Sequence, residues 1–262
     1  MRLTIVTVVF NELEDLKKTV ASVELYLDQD IEYWIIDGSD NHIIKDYLLT
    51  LSNPKINWIS ELDKGIYDAM NKGLERANGD YLIYMNAGDS FYSRFSLAPI
   101  LEDHSINDLV ILGYSVEAFR LDQYLRPGLG NEARVFGSPS HQATLYPRSY
   151  YKKNTYRLDI PIGADADYTA RAVRMCGAVF VPAIICKFEL GGLSSSYGLQ
   201  SIKLRMKQIY SLGYAAKLIV KIVMWNLLPK TVYYRVLASS KYTKLTRGCM
   251  PILAKEKIYF SA

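Results

Sequence analysis

Cysteine is scarce in this chain of 262 residues, which contains only Cys176, Cys186 and Cys249. Their spacing matches no metal-ligand pattern, and an odd, sparse count argues against a disulfide framework. We therefore expect reduced thiols, a cytoplasmic location and an apolar packing role for each cysteine.

The sequence also contains no pattern typical of a secretory signal or of a membrane-spanning helix. The opening MRLTIVTVVFNE has only Arg2 ahead of its apolar run and no small-residue cleavage site, which predicts a buried strand and not a secretory signal. The apolar runs within 199–229 are too short and too rich in lysine to predict a transmembrane helix.

Two glycine-rich phosphate-binding motifs are absent. Neither GxGxxG nor GxxxxGK[ST] occurs after the first predicted strand, which argues against a dinucleotide-dependent dehydrogenase and a P-loop kinase. That position reads FNELEDL, without the Gly-rich basic loop that we expect of a nucleotidyltransferase. A nucleoside diphosphate would therefore need another counter-charge, such as a divalent cation held by carboxylates.

Acidic residues are nearly absent from the last quarter of the chain. Residues 199–262 hold twelve Lys or Arg and one acid, Glu256, a balance of +11, whereas residues 1–198 have a balance of −7. This asymmetry predicts an acidic body followed by a basic extension at 199–262, which we expect to be helical and able to associate with a membrane.

Strand and helix patterns alternate through the first 90 residues. We predict strands at 3–10, 31–37, 56–60 and 80–85, with helices that include 13–27 and 66–77. Short links between them indicate right-handed parallel βαβ units. Further along we predict strands at 108–119, 141–146 and 178–189, a helix at 165–175 and helices over 199–237 interrupted at Pro229. The fold class is α/β, with a mostly parallel sheet flanked by helices and a C-terminal helical extension.

Polar residues follow each of the first four predicted strands. They are Asn11-Glu12, Asp37 to Asp40, Glu61 to Gly65, and Asn86 to Asp89. Turn and N-cap chemistry explains any one of these groups. Four groups at the carboxyl edge of one parallel sheet favour a ligand site instead.

Several motifs occur in an order that resembles a known family. The stretches are TIVTVVFNE, IEYWIIDGSD, ISELDKGIYDAMNKGLERANGDYLIYMNAGD, SHQATLYP, IGADADY and ELGGLSS. They resemble the family-2 glycosyltransferases with the GT-A fold, and most closely the subgroup of exopolysaccharide transferases such as those of colanic-acid clusters. The resemblance covers 1–198, with a nucleotide-sugar-binding half at 1–90 and an acceptor half at 91–198. It implies inverting transfer of a sugar from a UDP- or GDP-linked donor to an acceptor hydroxyl.

The resemblance implies roles for residues in the first half. Asn11 and Glu12 match the nucleotide pocket, and Asp37 matches a carboxylate that contacts the base. Asp63 and Lys64 match positions beside the base and ribose. The same pocket would include Asp68, which is equally explained as an acid in the first turn of a helix.

The turn Asn86 to Asp89 matches the family's metal-binding acidic motif but departs from it. Asn86 replaces the first acid and Gly88 stands where many relatives have a second one. Asp89 is thus the one charged ligand expected for Mn²⁺ or Mg²⁺, and we expect the ion to arrive with the sugar nucleotide.

Inverting transfer needs a base for the acceptor proton, and the resemblance implies Asp165, nine residues after Tyr156. Asp167 is the second candidate, and an N-cap role for Asp165 is the structural alternative. The pair His141 and Gln142 matches family positions near the donor sugar or acceptor, although a lone histidine is more often structural.

Two more features concern phosphate. The loop Gly191 to Ser194 matches a family segment near the diphosphate, with a plain turn as the alternative. Arg126 and Arg134 lie in a Gly/Pro-rich loop, where a phosphate clamp competes with the ordinary exposure of arginine.

The region 199–237 alternates lysine and arginine with large apolar residues. This pattern favours an amphipathic helix on an anionic membrane surface, where a lipid-diphosphate-linked glycan would be the acceptor. The alternative is a helix packed on the catalytic domain, and nothing in 1–198 supports nucleic-acid binding. A catalytically weak nucleotide-sugar-binding or scaffold protein remains the alternative function.

Overall fold

The computed structural model describes residues 1–27, 30–92, 96–120, 122–126, 140–192, 196–207, 212–239, 243–245 and 258–260. Its first half follows the predicted alternation closely. The elements are β1 (Leu3–Val9), α1 (Leu13–Glu24), β2 (Ile31–Asp37), α2 (Ile43–Thr50), β3 (Ile56–Ser60), α3 (Ile66–Arg76) and β4 (Tyr81–Tyr84). Helix α1 ends three residues earlier than predicted, because residues 25–27 form a turn.

The second half mixes strands with short helices. It contains β5 (Ser90–Phe91), α4 (Ala98–Leu101), β6 (Val110–Phe119), β7 (Asp122–Arg126), β8 (Thr144–Pro147), α5 (Arg148–Tyr151), α6 (Ala164–Cys176) and β9 (Ala178–Glu189). Short 3₁₀ turns cover His104–Ile106 and His141–Ala143. The strand predicted at 141–146 is therefore half wrong, because its first three residues form the second of these turns.

The sheet runs in the order β3-β2-β1-β4-β8-β6-β7, so the first half of the chain supplies one side. Strands β3, β2, β1 and β4 are parallel, whereas β8 is antiparallel to both β4 and β6. Strand β9 pairs in parallel with β6. The prediction of a mostly parallel sheet thus holds for the first half, and antiparallel pairs appear in the second.

Helices cover both faces of β1, whose seven residues are all buried. On one face Ile5 and Val9 belong to a core with α1 and α2, and on the other Val6 and Val8 pack with α3 and α6. The second face contains a group of buried tyrosines, namely Tyr84, Tyr146, Tyr150, Tyr151, Tyr156 and Tyr168. This packing fixes α3 and α6 on the same side of the sheet.

The basic extension contains α7 (Leu199–Met206), α8 (Leu212–Leu227) and α9 (Lys230–Ser239), as the pattern over 199–237 predicts. Tyr197, Leu218, Tyr233 and Tyr234 form its own small core. Among the helices described here, none is long and apolar enough to cross a membrane.

Two short strands in the extension do not agree with a wholly helical 199–262. They are β10 (Thr243–Leu245), which pairs with β7, and β11 (Ile258–Phe260), which pairs with β9. The extension therefore adds strands to the sheet as well as helices beside it.

Candidate active site

The strand register brings the carboxyl ends of β1, β2 and β3 to one level. Val9 lies opposite Asp37, and Asp37 lies opposite Ser60. On the other side of β1, the segment that follows β4 remains paired with β1, because the backbone N–H of Ala87 donates to the carbonyl of Val8 at 3.2 Å. The four polar groups that follow these strands therefore lie along one edge of the sheet, as predicted.

Asp37 stabilises this edge from within. Its side chain is fully buried, and its carboxylate accepts hydrogen bonds from the backbone N–H of Ser39 at 3.0 Å and the hydroxyl of Ser60 at 2.7 Å. Because this buried carboxylate binds the hydroxyl of Ser60, it holds the ends of β2 and β3 together in register. Both oxygens are thus already bonded to protein groups.

Asp63 lies directly against the glycine that follows Asp37. A Cβ atom added to Gly38 would be 1.6 Å from Oδ2 of Asp63, so only glycine leaves room for this carboxylate. The other oxygen accepts the backbone N–H of Gly65 at 2.7 Å. Burial, with Asp68 and Asp37 nearby, raises the pKa of Asp63. The structure thus brings Asp37 and Asp63 together, as the prediction requires.

Asn11 has a left-handed backbone (φ 60°) at the end of β1, a conformation that Asn tolerates better than most residues. Its backbone N–H binds Ser39 Oγ at 2.8 Å, and its side chain joins Asp40 and Asn41 at 2.9 and 2.6 Å. Glu12 is the exposed residue before α1 and makes no side-chain cap. Both side chains are accessible at the predicted edge.

Lys64 and Asp68 lie at the start of α3. Oδ2 of Asp68 accepts the backbone N–H of Lys64 at 3.0 Å, which agrees with the first-turn alternative for this acid. The Lys64 side chain is exposed. Lys72, one turn further along, binds Leu62 O at 2.7 Å and Glu61 at 3.0 Å, so the loop 61–65 is held against α3.

Asp89 is a buried carboxyl group in the turn after β4. It is only 4% exposed, and it accepts hydrogen bonds from Nε2 of Gln142 at 3.0 Å and from the backbone N–H of Glu189 at 3.1 Å. Burial raises the pKa of Asp89 to about 8. The predicted pair Asp89 and Gln142 is therefore in direct contact, although 53 positions separate them.

The turn Asn86 to Asp89 packs on helix α1. The hydroxyl of Thr19 binds the carbonyl of Asp89 at 2.6 Å and accepts the N–H of Gly88 at 3.0 Å. Gly88 has φ 96°, which favours glycine. Oδ1 of Asn86 is buried and has no hydrogen-bond partner among the described residues. This oxygen is therefore available to a bound group.

The side chains at this edge do not form a metal site on their own. The described residues contain no group of three or more His, Cys, Asp or Glu side chains that could hold an ion. Asp89 already accepts two hydrogen bonds, and Asn86 offers one further oxygen. These two residues fit Mg²⁺ or Mn²⁺ only if phosphate oxygens of a donor complete the coordination.

His141 lies in the tyrosine group. Its Nε2 is 2.5 Å from the hydroxyl of Tyr156, and its ring stacks on Tyr84 with centroids 4.9 Å apart. Burial lowers the pKa of His141 to about 4, so the ring is neutral at pH 7. Nδ1 has no partner among the described residues, which leaves one nitrogen for a ligand.

Asp165 is the second residue of α6. The preceding Gly163, with φ 91°, occupies the N-cap position, so the N-cap alternative for Asp165 is wrong. Oδ1 of Asp165 accepts a hydrogen bond from the hydroxyl of Tyr67 at 3.3 Å. Asp167 instead forms an ion pair with Arg171 at 2.9 Å on the same helix. Of the two candidate bases, Asp165 therefore keeps the freer carboxylate.

Sequence reasoning missed Tyr67, although it lies inside the DKGIYDAMNKG motif. Its hydroxyl donates to Asp165 and accepts the backbone N–H of Gly163 at 2.9 Å, which joins the start of α3 to the start of α6. No local pattern distinguishes such a tyrosine from one that only packs.

The remaining features of the structure add little to this site. A cavity of about 670 Å³ lies at the opposite end of β4, next to Asp80 and Arg148, and is not part of this edge. Gly191 and Gly192 follow β9 after one intervening residue, Leu190. Leu193, Ser194 and Arg134 are outside the described residues, and Arg126 ends β7.

The mixed sheet with helices on both faces is a GT-A-like fold. Two solved structures have a similar fold. The crystal structure of TarS residues 1–349 from S. aureus with UDP-GlcNAc matches with a TM-score of 0.56, and the structure of the mannosyltransferase PcManGT from Pyrobaculum calidifontis with GDP-Man and Mn²⁺ matches with a TM-score of 0.55. The identities are 13% and 12%, and both matches cover 91% of this chain and 71% and 80% of the other. Another TarS structure is matched over 60% of its length.

The model of "Glycosyl transferase family 2" matches residues 4–170, and the chain belongs to this family. It is 30% identical over 201 residues to an uncharacterized glycosyltransferase of Mycobacterium tuberculosis, covering 73% of this chain and 76% of the relative. A PGL/p-HBAD biosynthesis glycosyltransferase of Mycobacterium bovis is 29% identical over 145 residues, covering 52% and 56%.

Proposed function

We propose that this glycosyltransferase moves a sugar with inversion from a UDP- or GDP-linked donor to a hydroxyl group of a lipid-linked glycan. The process would be assembly of a bacterial exopolysaccharide, capsule or O-antigen, at the inner face of the cell membrane. One observation carries the proposal: the hydrogen bond from Tyr67 to Asp165 holds a candidate base beside the loop that contains Asp63.

In this proposal the nucleotide binds along the edge formed by Asn11, Glu12, Asp63 and Lys64. Asn11 and Lys64 are exposed, and Asp63 is half-buried, so these groups are accessible to a base and ribose. Asp37 supports these residues without contacting the nucleotide, because its hydrogen bonds to Ser39 and Ser60 stabilise the edge on which Asp63 lies.

Sugar transfer then requires a base for the acceptor hydroxyl and positive charge for the departing nucleoside diphosphate. Asp165 removes the proton of the acceptor hydroxyl while the nucleoside diphosphate leaves from the opposite side of the sugar. Mn²⁺ or Mg²⁺, held by Asp89, Asn86 and the donor phosphates, would supply positive charge for the leaving group. Gln142 orients Asp89, and the free Nδ1 of His141 is a candidate contact for the sugar or acceptor.

The membrane part of the proposal rests on one face of α8. Its apolar side chains Leu212, Ile219, Val220, Val223 and Leu227 are 48–91% exposed. Their spacing places them along one side of the helix, whereas Leu218, Ile222 and Trp225 face the small core of the extension. We call these five exposed residues the α8 stripe.

Charge favours a membrane as the occupant of the α8 stripe. Lys217 and Lys221 lie between this stripe and the core-facing side of the helix, which contains no acidic residue. The helix has 16 residues, about 24 Å, which suits a position along the interface and not across the bilayer. Leu190 packs on the same small core and directly follows Glu189, which binds Asp89. A membrane-bound α8 would thus keep the candidate site near a lipid-linked acceptor.

The test is transfer itself. The full chain is incubated with UDP-GlcNAc, UDP-glucose, UDP-galactose and GDP-mannose in turn, with Mn²⁺ and a lipid extract as acceptor, and release of UDP or GDP is measured. We expect release with one donor, and the anomeric configuration of the product read by NMR shows inversion. Binding of a donor without any release would favour the scaffold alternative, which the two occupied oxygens of Asp89 support.

A further inference from the structure

Tyr67 connects the loop that contains Asp63 with the start of α6, where Asp165 lies. It lies in the first turn of α3, four residues after Asp63, and its ring stacks at 6.0 Å on that of Tyr156. Its hydroxyl group reaches the start of α6, 96 to 98 positions further along the chain. No other described side chain hydrogen-bonds to the carboxylate of Asp165 in this structure.

The two hydrogen bonds of Tyr67 have opposite directions. The backbone N–H of Gly163 donates to the hydroxyl oxygen at 2.9 Å, and the hydroxyl then donates its own proton to Oδ1 of Asp165 at 3.3 Å. Burial and the charge of Asp165 raise the pKa of Tyr67 far above its ordinary value. The hydroxyl therefore keeps its proton and remains a donor across the working range of pH.

We infer that Tyr67 is a positioning residue, which orients the Asp165 carboxylate toward the acceptor and links it to the donor-binding loop at 61–65. The inference rests on the proposed function, in which Asp165 is the base. The backbone N–H of Gly163 holds the Tyr67 hydroxyl in place, and the hydroxyl in turn holds the side chain of Asp165 in one rotamer. Because Tyr67 is part of α3, the orientation of the carboxylate depends on the position of α3. A donor that orders the loop before α3 would in this way also order the base.

The direct test is Tyr67→Phe, which removes one oxygen and keeps the ring. A hydrogen bond to a carboxylate favours its charged form, so its loss makes the base protonate at higher pH. We expect kcat to fall about tenfold, the KM for the donor to stay within about twofold, and the acidic limb of the kcat profile to move up by about half a pH unit. Three other titratable groups sense the charge of Asp165, namely His141, Tyr146 and Tyr156. Burial raises the pKa values of the two tyrosines far above the acidic limb, but it lowers the pKa of His141 to about 4. The shift caused by Tyr67→Phe is therefore also measured in a His141→Gln background.

Tyr150→Phe is the matched control. Tyr150 also donates its hydroxyl to α6, at the carbonyl of Tyr168 at 3.0 Å, and it belongs to the same tyrosine group. A merely structural effect of losing a buried hydroxyl would appear in both variants. We expect Tyr150→Phe to change the unfolding temperature but not the acidic limb.

A second substitution, Tyr67→difluorotyrosine, keeps the hydroxyl group and should shift the acidic limb in the opposite direction. Difluorotyrosine at position 67 is a more acidic and stronger donor, so we expect the acidic limb to move to lower pH. Profiles that are unchanged in both the Phe and the difluorotyrosine proteins overturn the inference. If Asp165→Asn is inactive at the same time, the proposed function stands without it, whereas full activity of Asp165→Asn removes the proposed base and this inference together.

Discussion

The carboxylate of Asp63 occupies the space in which a side chain at Gly38 would begin, with Oδ2 only 1.6 Å from the position of a Cβ atom. The end of β2 and the loop after β3 therefore touch at a glycine. Strand register alone places the two segments side by side, but the missing side chain lets the carboxylate come this close.

Gly38→Ala should displace Asp63 and weaken nucleotide binding. The contact is with a carboxylate that is itself bonded to Gly65, so relief requires that bond to break. We expect the Kd for UDP or GDP, measured by calorimetry, to rise about tenfold, which corresponds to about 1.4 kcal/mol. Gly198→Ala is the control, because that glycine has open space and φ −71°. Equal affinity of Gly38→Ala and the wild type would contradict a role for Asp63.

Asp165→Asn should abolish turnover and spare donor binding. The amide retains the shape and accepts the Tyr67 hydrogen bond, but it cannot take a proton. We expect kcat to fall about 10²- to 10⁴-fold, with an unchanged Kd for the donor. Asp167→Asn is the comparison, and it should lose only the half-buried ion pair with Arg171. A larger kcat loss in Asp167→Asn than in Asp165→Asn would assign the base to Asp167.

Asp89→Ala should destabilise the fold as well as reduce donor binding. The substitution leaves Nε2 of Gln142 and the backbone N–H of Glu189 buried without acceptors. Each unpaired group costs about 1–3 kcal/mol, so the free energy of unfolding in urea should drop by at least about 2 kcal/mol. Asp89→Asn keeps one of the two oxygen acceptors, so it should lose less stability than Asp89→Ala. A wild-type free energy of unfolding for Asp89→Ala would disprove this role.

Acid should destabilise the protein through His141. The folded pKa of about 4 lies below the ordinary value of 6.5, so the unfolded chain binds the proton more tightly. The contribution is complete above pH 6.5 and is lost as the pH falls toward 4. His141→Gln should flatten the pH dependence of unfolding across this window, whereas His104→Gln, at an exposed position, should not. Parallel wild-type and His141→Gln curves would show that the imidazole does not contribute.

Val223→Glu should prevent binding to anionic vesicles. The substitution puts a negative charge in the middle of the α8 stripe, which opposes both insertion and attraction to the surface. Flotation with vesicles containing phosphatidylglycerol measures the bound fraction, which should fall severalfold. Leu49→Glu introduces the same charge at another exposed apolar position, on α2, and should leave binding intact. Wild-type protein that does not bind vesicles would remove the membrane proposal altogether.

Local patterns predicted the four strands and the helices α1 and α3 of the first half, because each of these elements has a clear periodicity. Ile66, Met70 and Leu74 repeat at helical spacing, and 3–10 is a continuous run rich in β-branched residues. The strand ends then fixed the edge at which Asp37 and Asp63 meet. The pairing of Asp89 with Gln142, the cap at Gly163 and the reach of Tyr67 depend instead on side chains far apart in the chain, for which periodicity carries no information.

The last described strand, Ile258–Phe260, lies against Ala178 to Phe180 of β9, so the far C-terminal region forms part of the sheet. A shortened protein that stops at residue 198 would expose the backbone N–H and C=O groups along that border of β9. An exposed strand edge with unpaired backbone groups promotes β-sheet pairing between molecules. We therefore expect a chain that is shortened in this way to aggregate.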